Sequence, residues 1–99
     1  MRILTLELIK AQCRIEPEMT EEDALLELYG NAAEETVLNY CNRSLESIYE
    51  DYGSIPAAIV EGCLLLAANS YRYGEPASIT NLYQVPYTFD AIVKPYMIL

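Results

Sequence analysis

The chain has 99 residues, 53% of them hydrophobic, with 15 acidic residues against 6 basic ones and a net charge of −9. That length holds one small domain, 1–99, too apolar for disorder and too small to shelter all its apolar surface, so neighbouring subunits are expected to cover part of it. So acidic a chain without a Lys/Arg cluster will not grip a phosphate backbone, and the absence of His removes the commonest general base, metal ligand and pH switch.

Met1–Leu4 is a short apolar lead-in, without the charged start and long apolar run of a signal peptide. Thr5 is placed to cap a first helix over Leu6–Arg14, with Leu4 and Ile9 as a hydrophobic staple and Leu6, Ile9 and Cys13 as the inner stripe. Glu16-Pro17-Glu18-Met19 then breaks the helix. Thr20-Glu21-Glu22-Asp23 reads as a capping box whose acids complement the positive helix end. A metal site is the rival reading of those acids, but consecutive acids on a helix point in different directions.

The second helix is predicted over Glu21–Asn42. Leu25, Leu28, Tyr29, Ala32, Ala33, Thr36 and Tyr40 form its inner stripe with Val37 at the margin, and Asp23, Glu27, Asn31 and Glu34 lie opposite. Leu38 falls out of pattern on the acidic face, the first place to look for a subunit contact. Gly30 costs this helix up to ~1 kcal/mol relative to Ala, a sign of close backbone approach or of simple tolerance. In the linker that follows, Leu45, Ile48, Tyr49 and Tyr52 are spaced for a short helical turn ended by Gly53.

The stretch that organises the rest is Ile55–Gly74, IPAAIVEGCLLLAANSYRYG. Pro56 sits just inside the start of this helix and Gly74 just past its end. Ile59, Val60, Cys63, Leu64, Leu66, Ala67 and Tyr71 cover well over half its circumference. Glu61, Asn69 and Arg72 share the remaining strip with Leu65. Such a helix is buried on several sides, and Glu61 and Gly62 interrupt it too soon for a membrane span.

Glu75–Gln84 lacks a helical period, so an irregular loop is expected over 75–86, with Ile79-Thr80 and Leu82-Tyr83 extended. A loop of that length dotted with apolar residues either carries binding surface or orders only in contacts. Thr88 can cap a last helix, Phe89–Lys94, with Tyr87 and Ile92 as a second staple. Pro95 stops it, and the tail Tyr96-Met97-Ile98-Leu99 prefers to be covered.

The expected fold is therefore all-α, a bundle of four to five helices around a buried central helix, 55–73. Cys13, Cys41 and Cys63 lack metal-type spacing and read as small buried hydrophobes in a reducing cytoplasm. Nine tyrosines suit either an interface or the rim of a small core. The acids are lopsided, 12 against 4 bases in residues 1–52 and 3 against 2 in residues 53–99. That is first a solvated surface, though one that can lie beside DNA sliding past. No nucleophile–His pair, P-loop, GxGxxG, HExxH or EF-hand loop is present, so neither an enzyme nor a cofactor or metal site is expected.

Leu4–Glu16 (LTLELIKAQCRIE), Asp23–Arg43 (DALLELYGNAAEETVLNYCNR), and Ile55–Tyr73 followed by Val85–Tyr96 (VPYTFDAIVKPY) together resemble the phage head–tail connector family of small helical DNA-packaging adaptors. The likeness spans nearly the whole chain, and the VPY…KPY pattern is its most telling part. Two departures stand out: Gly30 where a bulky apolar residue is usual, and Cys41-Asn42 in place of a small-polar and glycine pair before Arg43. The resemblance implies a structural virion protein at the head–tail junction, made in the bacterial host cytoplasm. It would form a dodecameric ring under the portal protein, extend the DNA channel without binding DNA specifically or touching a membrane, and carry a tail-completion protein. On that reading Leu38, Tyr71, Tyr73, Ile79, Leu82, Tyr83 and Tyr96 are candidates for subunit or partner contacts, and Asp23, Glu27 and Glu34 for an acidic lumen face. The rivals are an acidic DNA mimic, a generic cytoplasmic helical interaction protein and a carboxylate-dependent enzyme.

Overall fold

A computed structural model describes residues 1–74 and 88–98. The protein is all-α: among the described residues the elements are α1 (Leu6–Cys13), α2 (Asp23–Cys41), α3 (Leu45–Tyr52), α4 (Ala57–Tyr73), α5 (Thr88–Val93) and a closing 3-10 turn (Lys94–Tyr96). Most helix ends follow from residues a few positions away. The Leu8 N–H donates to Thr5 Oγ1 at 3.2 Å and the Ser47 N–H to Ser44 Oγ at 3.1 Å, which satisfies amides that a first turn leaves unpaired. Asn42 ends α2 at φ 55°, a left-handed conformation that Gly takes most easily and Asn tolerates.

The capping box at Thr20 does not form. The helix begins at Asp23, two residues after the predicted start at Glu21, with no side-chain cap. The Asp23 N–H meets the Thr20 carbonyl at 3.2 Å, and the Asp23 carboxylate pairs instead with Lys10 Nζ of α1 at 2.8 Å. A whole ammonium charge outweighs one backbone amide in the competition for that carboxylate.

The core helix behaves as its composition requires. Ile59, Gly62, Cys63, Leu66, Ala67 and Ser70 of α4 are buried, and between positions 58 and 70 only Glu61 is exposed. Helices α1, α2 and α5 all pack against it. A Cβ on Gly62 would lie 2.5 Å from Val93 Cγ1, so the absence of one lets α5 close onto α4. A Cβ on Gly30 would run into Met1 Sδ and come within 2.9 Å of Ile9 Cδ1, so of the two readings of Gly30, close approach is the one observed.

The inner face of α2 is rotated from the predicted stripe by rather less than one residue's step of about 100°. Leu26, Tyr29, Gly30, Ala33, Glu34, Thr36, Val37 and Cys41 point inward, whereas Leu25 and Leu28 are exposed. Val37, expected at the margin, is fully buried. The small residues Gly30 and Ala33 explain the rotation. They let the amino-terminal segment and α4 approach closely, and tight contact over that arc outweighs covering two leucines.

Candidate interaction surfaces

The amino-terminal segment is held by one side chain. Glu34, 7% exposed, accepts the backbone N–H groups of Arg2 at 3.0 Å, Ile3 at 2.9 Å and Leu4 at 2.7 Å. An extended lead-in has no helical partners for its amides, and a buried carboxylate that pairs with no cation among the described residues needs donors, so each satisfies the other. This corrects the placement of Glu34 on the outer acidic face: its charge is committed within the chain. Arg2, Ile3 and Glu34 border an open cleft of about 300 Å³ in which Leu38 and Leu45 also take part. Leu38 is half-buried there, and Leu45 is buried.

At the other end of α2, Lys10 is buried and donates to the Pro17 carbonyl at 3.2 Å as well as pairing with Asp23. Next to this pair the Tyr71 hydroxyl donates to Glu22 Oε1 at 2.9 Å, and that bond, with the carboxylate's charge, raises the phenol above its ordinary pKa. Gln12, Arg14, Ala68, Tyr71 and Arg72 line a groove between the end of α1 and the end of α4. Leu65 and Asn69 carry it along α4, so one wall is the polar strip that the core helix leaves uncovered. Tyr73, just beyond, is 57% exposed.

The carboxy-terminal tail is gathered at the junction of α2 and α3. The Ile98 N–H donates to the Cys41 carbonyl at 2.9 Å, Asn42 Nδ2 to the Ile98 carbonyl at 3.3 Å, and Arg43 Nε to the Tyr96 carbonyl at 2.6 Å. Arg43 also reaches Ser47 Oγ at 2.9 Å and Asp51 Oδ2 at 2.7 Å, and lies over the Tyr52 ring. Tyr52 in turn meets Tyr96 edge-on, with ring centres 5.4 Å apart. The tail is thus partly covered, with Tyr96 and Met97 half-buried and Ile98 exposed. Sequence reasoning missed Arg43 as the centre of this junction. Its signal was a lone base between a helix stop and the Ser44 cap, four residues before Ser47 and eight before Asp51.

Of the other candidates, Glu27 is exposed on α2, and Ile79, Leu82 and Tyr83 lie outside the described residues, as do Tyr87 and the 75–86 loop. Cys41 and Cys63 are fully buried, and burial pushes both thiols up, Cys63 strongly. Cys13 is half-buried and is raised for the same reason. Among the described residues no three metal-ligating side chains stand together, and no helix is long and apolar enough to cross a membrane.

These surfaces offer apolar and aromatic side chains for contact. Leu25, Leu28, Tyr49, Tyr52, Tyr73 and Ile98 are all 39% exposed or more. Residues 3–97 match the family described as phage gp6-like head-tail connector protein. No curated protein and no solved structure matches the chain.

Proposed function

The chain belongs to the phage gp6-like head–tail connector family, and from that premise we propose that it works as a ring at the head–tail junction of the virion. The ring, dodecameric by the resemblance of the sequence, seats under the portal protein, continues the DNA channel and offers a platform to a tail-completion protein. The observation that carries this reading is the family match over residues 3–97, nearly the whole chain. The apolar and tyrosine side chains left exposed on α2, α3, α4 and the tail support it, since every subunit of a closed ring needs two contact faces. Its role is structural, without catalysis.

The lumen reading is narrowed by the committed acids. Glu34 is held by backbone amides and Asp23 by Lys10, so the charges of α2 available to DNA are Glu27 and Glu35, both exposed. At physiological salt such charges repel a duplex over about 8 Å, enough to keep it from sticking. Ile79, Leu82 and Tyr83 are assigned, on sequence grounds, to the contact with a partner ring.

Electron microscopy of the chain mixed with the portal of the same phage tests the reading. A ring of added density continuing the portal channel is expected, and a portal that stays bare overturns it. Within an assembled virion, Glu27→Lys with Glu35→Lys should slow DNA ejection; an unchanged rate removes these acids from the lumen.

A further inference from the structure

Near the two ends of α2 stand side chains of opposite charge that have no partner of opposite sign among the described residues. At its start lies the groove between α1 and α4, which contains Arg14 and Arg72 on an otherwise acidic protein. Neither guanidinium meets a carboxylate among the described residues, whereas Lys10 and Arg43 both do. Ala68 lies in the groove with both arginines, and Leu65 joins it where the groove continues along α4 past Arg72. At the far end of α2, about 28 Å away along a 19-residue helix, stands α3. Its inner side is fixed by buried Leu45 and Ile48 and by the Arg43–Asp51 pair. Its outer side presents Glu46, Tyr49 and Glu50 at helical spacings of three and four, so they share one face. Tyr49 is 48% exposed, and neither glutamate meets a cation among the described residues.

We infer that the α1–α4 groove of one copy receives the outer face of α3 from a second copy of the same chain. Tyr49 sets its ring on Leu65 and Ala68, beside the Arg72 guanidinium, while Glu46 and Glu50 reach Arg14 and Arg72. An aromatic ring under a guanidinium and carboxylates across from arginines are both favourable once water leaves. The two surfaces are different patches near opposite ends of α2, so the contact is head-to-tail, the kind that closes into a ring. The segment Glu16–Glu22 carries more acid, four glutamates, but it borders the groove and its Glu22 already holds Tyr71. Using it would join two copies symmetrically and stop at a dimer. The inference rests on the reading of the chain as a self-assembling connector, and names the two surfaces that join.

Two charge-reversed variants of the full chain test it, one with Arg14→Glu and Arg72→Glu, the other with Glu46→Lys and Glu50→Lys. Their masses are followed by sedimentation across concentration and salt. The parent should assemble beyond a dimer and more weakly as salt rises. Each variant alone should lose roughly a hundredfold or more in association, because like charges then face each other. Mixed in equal amounts the two variants should assemble again, since each now carries the complement of the other, and circular dichroism confirms that both remain helical. Variants that assemble alone, a mixture that does not recover, a parent that stops at a dimer, or a parent that stays monomeric at every concentration each overturns the pairing. Portal binding measured on the same parent protein keeps the two readings apart: a monomer that still rings the portal fails here and not there.

Discussion

The two ends of the chain dock on the same helix by opposite chemistry. The amino-terminal segment brings unpaired N–H groups, and α2 answers with one buried acid, Glu34. The carboxy-terminal tail brings unpaired carbonyls, and the end of α2 answers with donors from Asn42 and Arg43, plus the Cys41 carbonyl for the Ile98 amide. Each terminus also leans on a glycine, Met1 on Gly30 and, through α5, Val93 on Gly62. The first attachment is concentrated in a single side chain and the second is shared among several. A shared attachment survives the loss of one member, whereas a concentrated one does not.

The largest expected effect comes from removing the concentrated anchor. Glu34→Ala leaves the Leu4 amide buried without an acceptor and should cost about 3 kcal/mol, read as a shift of the urea midpoint. Hydrogen exchange sharpens this: the amides of Ile3 and Leu4 should exchange faster while that of Ile98 stays protected. Equal loosening at both ends would show that the termini are coupled rather than separately held.

The glycine seats should differ next. Gly62→Ala presses on the branched, stiff Val93 and should cost about 2 kcal/mol, because α5 itself has to shift. Gly30→Ala meets the pliant thioether of Met1 and the terminal methyl of Ile9, both side-chain ends that can give, and gains helix propensity, so it should stay within about 1 kcal/mol of the parent. The reverse order would place the tighter seat at the amino terminus.

Arg43→Ala should lower the midpoint less than Gly62→Ala, since Asn42 and the Cys41 carbonyl still hold Ile98. Its specific mark should be faster exchange in α3 and at Met97. The smallest effect is expected in alkali. Burial holds the Cys41 and Cys63 thiols above their ordinary value of 9.0, so above that pH the unfolded chain gives up protons that the folded chain keeps. Stability should therefore fall as pH rises past about 9, in Cys41→Ala less than in the parent. The same neutral thiols should resist alkylation while the chain is folded, with half-buried Cys13 reacting first.

Local chemistry was legible in the chain. The cap at Thr5 and the stops at Gly53 and Gly74 each close a contact within four residues, whereas the Ser44 cap, equally local, was not read. The burial of α4 was equally clear, because a helix apolar around most of its girth is buried whichever way it turns. The groove was visible only as a strip, Glu61, Leu65, Asn69 and Arg72, with nothing to say that α1 forms the other wall. On α2 the pattern misled. Leucines at 25 and 28 drew the predicted face toward themselves, while the arc that packs is set by the small residues Gly30 and Ala33.

What the amino-acid order settled alone was where helices stop and which one lies at the centre, since a stop depends on neighbours within a turn and a helix apolar around most of its girth is buried whichever way it turns. What only the assembled fold decided was the rotation of α2 and the allegiance of its acids. Asp23 chose Lys10 over its own helix end, and Glu34 chose amides 30 to 32 residues away over solvent. A carboxylate goes to the strongest donors within reach, and reach is a property of the packed molecule.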